Sequence, residues 1–205
     1  MLDVQSREDA RGIAIQRVGV KEVKLPFLIK KQAGGYQQVL ARITFTVALP
    51  MEFKGTHMSR FLEILLPWRE QPLAEEEMEA MLTEALERLH AEEAEVSLAF
   101  TYFLEKIAPV SGKVSLLDVE ASFTGRKRRG MPMRFELGLA MPFTSLCPCS
   151  KEISAYGAHN QRSVTRVRLR YAEGVPCIYI EELAALLERQ GSAPIYPLLK
   201  RADEK

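Results

Sequence analysis

Between Thr144 and Ser163 the chain reads Thr-Ser-Leu-Cys-Pro-Cys-Ser-Lys-Glu-Ile-Ser-Ala-Tyr-Gly-Ala-His-Asn-Gln-Arg-Ser. The stretch gathers two of the three cysteines, Cys147 and Cys149, and one of the three histidines, His159. A thiolate and an imidazole are suitable ligands for zinc or a similar divalent ion. Two protein ligands are too few for a closed structural site. A third from elsewhere, plus water, describes an open catalytic site in which the metal makes hydroxide available near neutral pH. Cys-x-Cys is not the Cys-x-x-Cys of zinc ribbons, so spacing alone leaves three readings open. They are a metal site, a cysteine nucleophile with a histidine base, and a buried cysteine beside an ordinary surface histidine. Lys151, Glu152, Asn160, Gln161 and Arg162 crowd the same stretch with acid–base and anion-binding groups.

A second cluster, Lys54, His57, Ser59 and Arg60, stands at the mouth of an expected short helix for which Thr56 or Ser59 is the candidate cap. Backbone N–H groups at a helix start, with Lys and Arg nearby, suit a phosphate; the competing reading is a solvated turn with a capping serine. No glycine-rich P-loop or Rossmann fingerprint is present. Two cationic features are weaker signals. Gly125-Arg-Lys-Arg-Arg-Gly130 reads first as a solvated hairpin tip and second as an anion or partner contact. Arg166, Arg168 and Arg170 alternate along one strand face, where like charges repel and favour a partner.

The elements that must position these groups follow from periodicity. Val18, Val20 and Val23 mark a short strand from Ile15 to Lys24, broken at Pro26, and Gly34-Gly35 marks a turn. Val39, Ala41, Ile43, Phe45, Val47 and Leu49 alternate as a full strand. A helix over about Leu73–Glu92 carries Met78, Met81, Leu82, Ala85, Leu86 and Leu89 as its apolar stripe, with glutamates in its first turn. Alternation over Val96–Leu104 and Val114–Thr124, with a turn at Ser111-Gly112, predicts a long hairpin. Met133–Phe143 and Val164–Tyr171 are strands flanking the cysteine stretch, and Ile178–Gln190 is an amphipathic helix closed by Gly191. The order strand, strand, helix, helix, strand, strand over 15–124 begins again from 131 as strand, strand, helix. A sheet covered on one face by helices is a sound layer architecture, so the class is α+β.

Composition bounds the rest. The chain has 205 residues and a net charge of +1, which gives no support to a broad nucleic-acid surface. No apolar run approaches membrane-spanning length, the first residues carry no signal pattern, and the cysteines make no disulfide framework. The expectation is a reduced, cytoplasmic protein with no membrane and no nucleic-acid partner.

Asp3-Val4-Gln5, Arg11-Gly12, Val18-Gly19-Val20, Lys54-Gly55-Thr56-His57-Met58-Ser59-Arg60, Ser145 to Ser154, Tyr156 to Ser163 and Leu198-Leu199-Lys200-Arg201, in this order along nearly the whole chain, resemble the type IB GTP cyclohydrolase I family. The resemblance implies a tunnelling fold with two modules of two strands, two helices and two strands. These fall here on 15–128 and 129–205 after an N-terminal arm at 1–14, and the family assembles as a homotetramer. It implies metal-dependent conversion of GTP and water to 7,8-dihydroneopterin triphosphate and formate, the entry to folate-type pterins, with zinc or manganese as the divalent ion. Carried over by residue, Cys147 and His159 are catalytic and hold the metal with Glu204, while Lys54, His57, Ser59 and Arg60 lie near the substrate. The family continues past Asp203-Glu204 through a further helix and hairpin, so the second module is expected to be incomplete in this sequence. Two alternatives accompany this reading: another purine- or pterin-processing enzyme of the same fold, and a catalytically incomplete assembly protein.

Overall fold

The computed structural model describes residues 14–51, 55–154, 159–171 and 175–203. Within them lie the strands β1 (Ile15–Lys30), β2 (Tyr36–Leu49), β3 (Pro72–Leu73), β4 (Glu93–Ile107), β5 (Val114–Arg128), β6 (Arg134–Leu146) and β7 (Asn160–Arg170). The helices are α1 (Met58–Trp68), α2 (Glu75–Arg88), α3 (Pro148–Ile153) and α4 (Ile180–Glu188). The class is α+β, and the strands form one sheet in the order β3-β1-β2-β4-β5-β6-β7. None of the described helices is long and apolar enough to cross a membrane.

Alternation builds the sheet. In β2 the side chains of Val39, Ala41, Ile43, Phe45, Val47 and Leu49 are all buried, as a strand with one face on a core requires. β2 pairs antiparallel with β1 and with β4. Gly34 and Gly35, at φ +87° and +73°, make the β1–β2 turn in a backbone region that residues with a Cβ seldom enter.

The expected end of the first strand at Lys24 is corrected: β1 runs through Pro26, which pairs with Leu40, to Lys30. A proline lacks the N–H that a central strand must donate, but β3 meets β1 at Leu28 and Ile29, so among the described residues no strand pairs with that edge of β1 beside Pro26.

The chain divides into two compact units. The first comprises 1–100, 122–137 and 169–177. Its core is Phe61, Ile64 and Leu65 of α1 with Met78, Met81, Leu82 and Ala85 of α2, together with Ile43, Phe45, Val96 and Leu98 of the sheet. The Phe45 and Phe61 rings meet edge to face, 5.0 Å apart at 83°. The α2 stripe is core, as its spacing predicts.

Helix α2 itself is shorter than expected. Leu73 belongs to β3, and the chain leaves the helix at Leu89, followed by His90 at φ +50°. Glu75, Glu76 and Glu77 occupy the first turn, where Ala74 N–H donates to the Glu77 carboxylate at 3.0 Å. Trp68 Nε1–H donates to Glu84 at 2.7 Å, tying α1 to α2.

The basic run at the β5 end is a paired hairpin tip. Arg126 donates to Glu93 at 2.8 Å, Lys127 pairs with Glu79, and Arg129 donates to the Leu86 and Ala91 carbonyls at 2.8 and 3.2 Å.

The second unit comprises 101–121, 138–168 and 178–205. Tyr102, Leu104, Leu117, Val119, Ala121, Leu139 and Met141 are buried there with Ile180, Leu183 and Ala184 of α4. Tyr102 donates its hydroxyl proton to Glu181 at 2.6 Å. Burial, then this bond and the Glu181 charge, push the Tyr102 phenol well above its ordinary value of 10.0. The expected glycine cap of α4 is corrected. The helix ends on Arg189 in ordinary right-handed geometry, and Gly191 instead lies close to the Phe143 ring, which a Cβ would meet at 3.1 Å.

Candidate active site

Each candidate cluster is built by its own unit. In the second unit β6 delivers the chain to Cys147. The end of β6 is pinned on both sides: Ser145 and Ser163 hydroxyls share a hydrogen bond at 3.2 Å, and Leu146 N–H donates to Ser192 Oγ at 3.2 Å. Thr144 exchanges backbone bonds with Ala193 at 3.1 and 3.3 Å.

Cys147 then caps α3, a short helix not expected from periodicity, with Pro148 in its first turn. A proline there costs nothing, because its missing N–H would have had no helical partner. The Cys147 carbonyl accepts from Ser150 N–H at 3.1 Å, Lys151 N–H at 3.3 Å and Ser150 Oγ at 2.9 Å, so its backbone is held from the helix side. Its side chain is half-buried, whereas that of Cys149 is exposed. Between the two thiols, Cys147 is the more sheltered.

His159 is exposed and immediately precedes β7, the neighbour of β6 in the sheet. The Ser145–Ser163 bond aligns the C-terminal end of β6 with the N-terminal end of β7. Cys147 and His159 therefore flank the same end of this strand pair. Glu204, the third expected ligand, lies outside the described residues, among which no three His, Cys, Asp or Glu side chains gather as a metal-binding group.

The second cluster belongs to the first unit. His57 is the N-cap of α1 and makes no side-chain capping bond, which corrects the expectation of a Thr56 or Ser59 cap. Thr56 is buried and Ser59 falls inside the helix, so neither hydroxyl stands at the capping position. His57 and Arg60 are half-buried and Ser59 exposed. The first turn of α1 carries no acidic residue, unlike those of α2 and α4. Its positive dipole end is thus accompanied by Arg60 and carries no carboxylate in its own first turn. Lys54 lies outside the described residues.

Spacing did not point to Asp203. Its carboxylate accepts from Val110 N–H at 2.9 Å, from Ser111 N–H and Ser111 Oγ at 2.7 Å each, and from Lys200 N–H at 2.7 Å. These bonds hold its carboxyl well below the usual carboxylate range. An aspartate one turn from a backbone N–H is a local signal; its partners in the β4–β5 turn lie too far away in sequence to be one.

A family model described as type I GTP cyclohydrolase folE2 matches residues 1–205. The chain belongs to that family. Curated relatives named GTP cyclohydrolase FolE2 agree with it. The one from Geobacter sulfurreducens is 49% identical over 205 residues, covering all of this chain and 77% of its own length. Those from Geotalea uraniireducens and Magnetococcus marinus are 49% and 47% identical, with 73% and 75% of their lengths covered. Among the three functional classes raised by the sequence, the GTP cyclohydrolase, a hydrolase, is the one these findings support.

Proposed function

We propose that the chain hydrolyses GTP to 7,8-dihydroneopterin triphosphate and formate in a divalent-metal site held by Cys147, His159 and Glu204. The observation that carries the proposal is the pinned end of β6. It presents a half-buried Cys147, backed by α3, at the end of the strand pair that His159 flanks. A soft thiolate and a borderline imidazole fit zinc, and with a carboxylate they leave room for the open position of a catalytic site. A divalent ion held there, zinc or manganese, supplies a water-derived nucleophile near neutral pH.

The chain's own residues do the remaining work. Lys54 and Arg60 bind the triphosphate as cations, and backbone N–H groups at the start of α1, which the His57 side chain does not cap, add hydrogen-bond donors. His57, half-buried at the helix mouth, and Ser59 orient the same end of the nucleotide. Proton transfers accompany ring opening, formate release and ring closure, and His57, which is not among the proposed metal ligands, is the side chain assigned to them. In this reading the chain carries the tunnelling fold, modules 15–128 and 129–205 after an arm at 1–14, and works as a cytoplasmic homotetramer.

The test is GTP turnover to a pterin, read as fluorescence after oxidation, on metal-stripped protein with zinc or manganese restored. Metal-dependent pterin formation, lost in Cys147→Ala and in His159→Ala, is the expected result. Turnover that survives metal removal, or that Cys147→Ala leaves intact, would overturn the proposed site.

A further inference from the structure

We infer that Ser145 and Ser163 are positioning residues whose shared hydrogen bond sets where Cys147 stands against His159. The inference rests on the reading above that Cys147 and His159 hold a metal ion. In β6 the side chains of Leu139 and Met141 are buried. Strand alternation carries their face on through Phe143 and Ser145 to Cys147, whose own backbone is extended at φ −71° and ψ 118°. In β7 Ser163, Thr165 and Val167 are half-buried while Arg162, Arg166 and Arg168 are exposed, so the odd-numbered residues form the inner face there too. Ser145 and Ser163 meet on that shared face at 3.2 Å. Cys147 comes two residues after Ser145, and His159 four residues before Ser163. Both are even steps, so alternation carried past the strand ends puts the two ligands on one face.

Parity of this kind is only as good as the register, because a slip of one residue turns every side chain of a strand to the other face. Apolar burial holds the register at Leu139 and Met141, but from Phe143 onward the side chains of β6 are only half-buried. That grip therefore weakens just before the ligand. A hydroxyl pair replaces it with a directional contact that tolerates only a few tenths of an ångström in separation. β-Branched residues pack a strand pair better than serine does, so two facing serines serve direction more than packing. The neighbouring bonds do a different task. Thr144 is tied to Ser192 and Ala193, Leu146 N–H to Ser192 Oγ, and the Cys147 carbonyl to Ser150. Those hold Cys147 against α3 and the chain after α4. The Ser145–Ser163 bond is the one of the group that ties it to the strand His159 precedes.

The experiment is a chelator-competition titration of zinc on the full chain as wild type, Ser145→Val, Ser145→Thr, Ser163→Ala, Ser145→Val/Ser163→Ala, Thr101→Val, Cys147→Ala and His159→Ala. Urea midpoints register folding, and the thiolate-to-cobalt charge-transfer band of the cobalt(II)-loaded protein registers ligand geometry. Ser145→Val keeps a strand-favouring shape without the hydroxyl, and should weaken zinc about tenfold, the lower end for supports behind a ligand, and diminish the cobalt band. Ser145→Thr, which keeps the hydroxyl, should restore both. The double variant should bind no more weakly than the weaker single variant, since both lose the same bond. Thr101→Val removes a cross-strand bond to Glu120, 3.0 Å long and in the same unit, and should leave zinc affinity unchanged. If Cys147→Ala and His159→Ala weaken binding while Ser145→Val and Ser163→Ala do not, the serines have no positioning role. A loss as large in Thr101→Val as in Ser145→Val, following the urea midpoints, would likewise overturn it. Unchanged affinity in Cys147→Ala and His159→Ala would remove the metal site and the role of the serines with it, an outcome read in the ligand variants alone.

Discussion

Tyr102 shows how much one side chain can carry. It is fully enclosed in the second unit, and its hydroxyl satisfies one oxygen of Glu181, while Glu181 Oε2 is buried with no hydrogen-bond partner among the described residues. Tyr102→Phe would leave both oxygens of that carboxylate short of donors, at a cost of about 1–3 kcal/mol in urea unfolding at neutral pH. The pH dependence has a definite sign. A phenol held above its ordinary 10.0 contributes stability that is fully present below that pH and is lost as pH rises past it, since the unfolded chain gives up the proton first. Unfolding titrations should therefore show a decline above pH 10 that is shallower in Tyr102→Phe. At the other cluster, Arg60→Ala should raise the KM for GTP by about 10- to 100-fold if the guanidinium holds phosphate through a charge-assisted bond. A KM unchanged by the substitution would place the triphosphate elsewhere. The same scale separates what the sequence could disclose about the site. Cys147 and His159 stand in one short stretch whose residue types raise metal chemistry as one of three readings. Asp203 and Ser111 carry no such types, and only the folded chain brings them together.

Among elements, strands were the most legible and their ends the least. Alternation identified β2, β4, β5 and β6 because each buries every second side chain, and that pattern has one cause. Pro26 misled because a proline marks a strand end only when both strand edges need donors, and among the described residues the second edge of β1 is paired only at Leu28 and Ile29. Helix α3 escaped notice because six residues are too few to display a helical period. Glycines test how tightly elements meet. A Cβ at Gly19 in β1 would stand 2.0 Å from the Phe45 carbonyl oxygen and 2.8 Å from Thr46 Cα in β2, both backbone atoms that cannot step aside. At Gly125 in β5 the nearest atoms are the sulfurs of Met78 and Met133 and a methyl of Leu82, at 2.6 to 2.9 Å, all at the ends of flexible side chains. Gly19→Ala should therefore cost more stability than Gly125→Ala, about 3 kcal/mol or above against about 1 kcal/mol, by denaturant midpoint. Equal losses would mean that the β1–β2 pair can part at this point without penalty.

For the whole molecule, the division into two units is not a division of the chain. Strands β4, β5, β6 and β7 each contribute residues to both, so neither unit owns a complete set of strands. Unfolding is expected as one cooperative event. Phe61→Ala, which empties a fully buried ring position in the first unit at a cost of about 3–5 kcal/mol, should lower hydrogen-exchange protection equally at Ile43 and at Val119 of the second unit. Protection that falls at Ile43 and holds at Val119 would show two separately stable bodies. A last consequence comes from the bond between Trp68 and Glu84. The sequence contains a single tryptophan, and it sits in the helix that opens with His57, Ser59 and Arg60. Light at the red edge of protein absorption excites that indole alone. The molecule thus carries a built-in optical reporter, and the proposed binding of a nucleotide at the start of α1 is testable as a colour shift or quenching at its far end with no label attached.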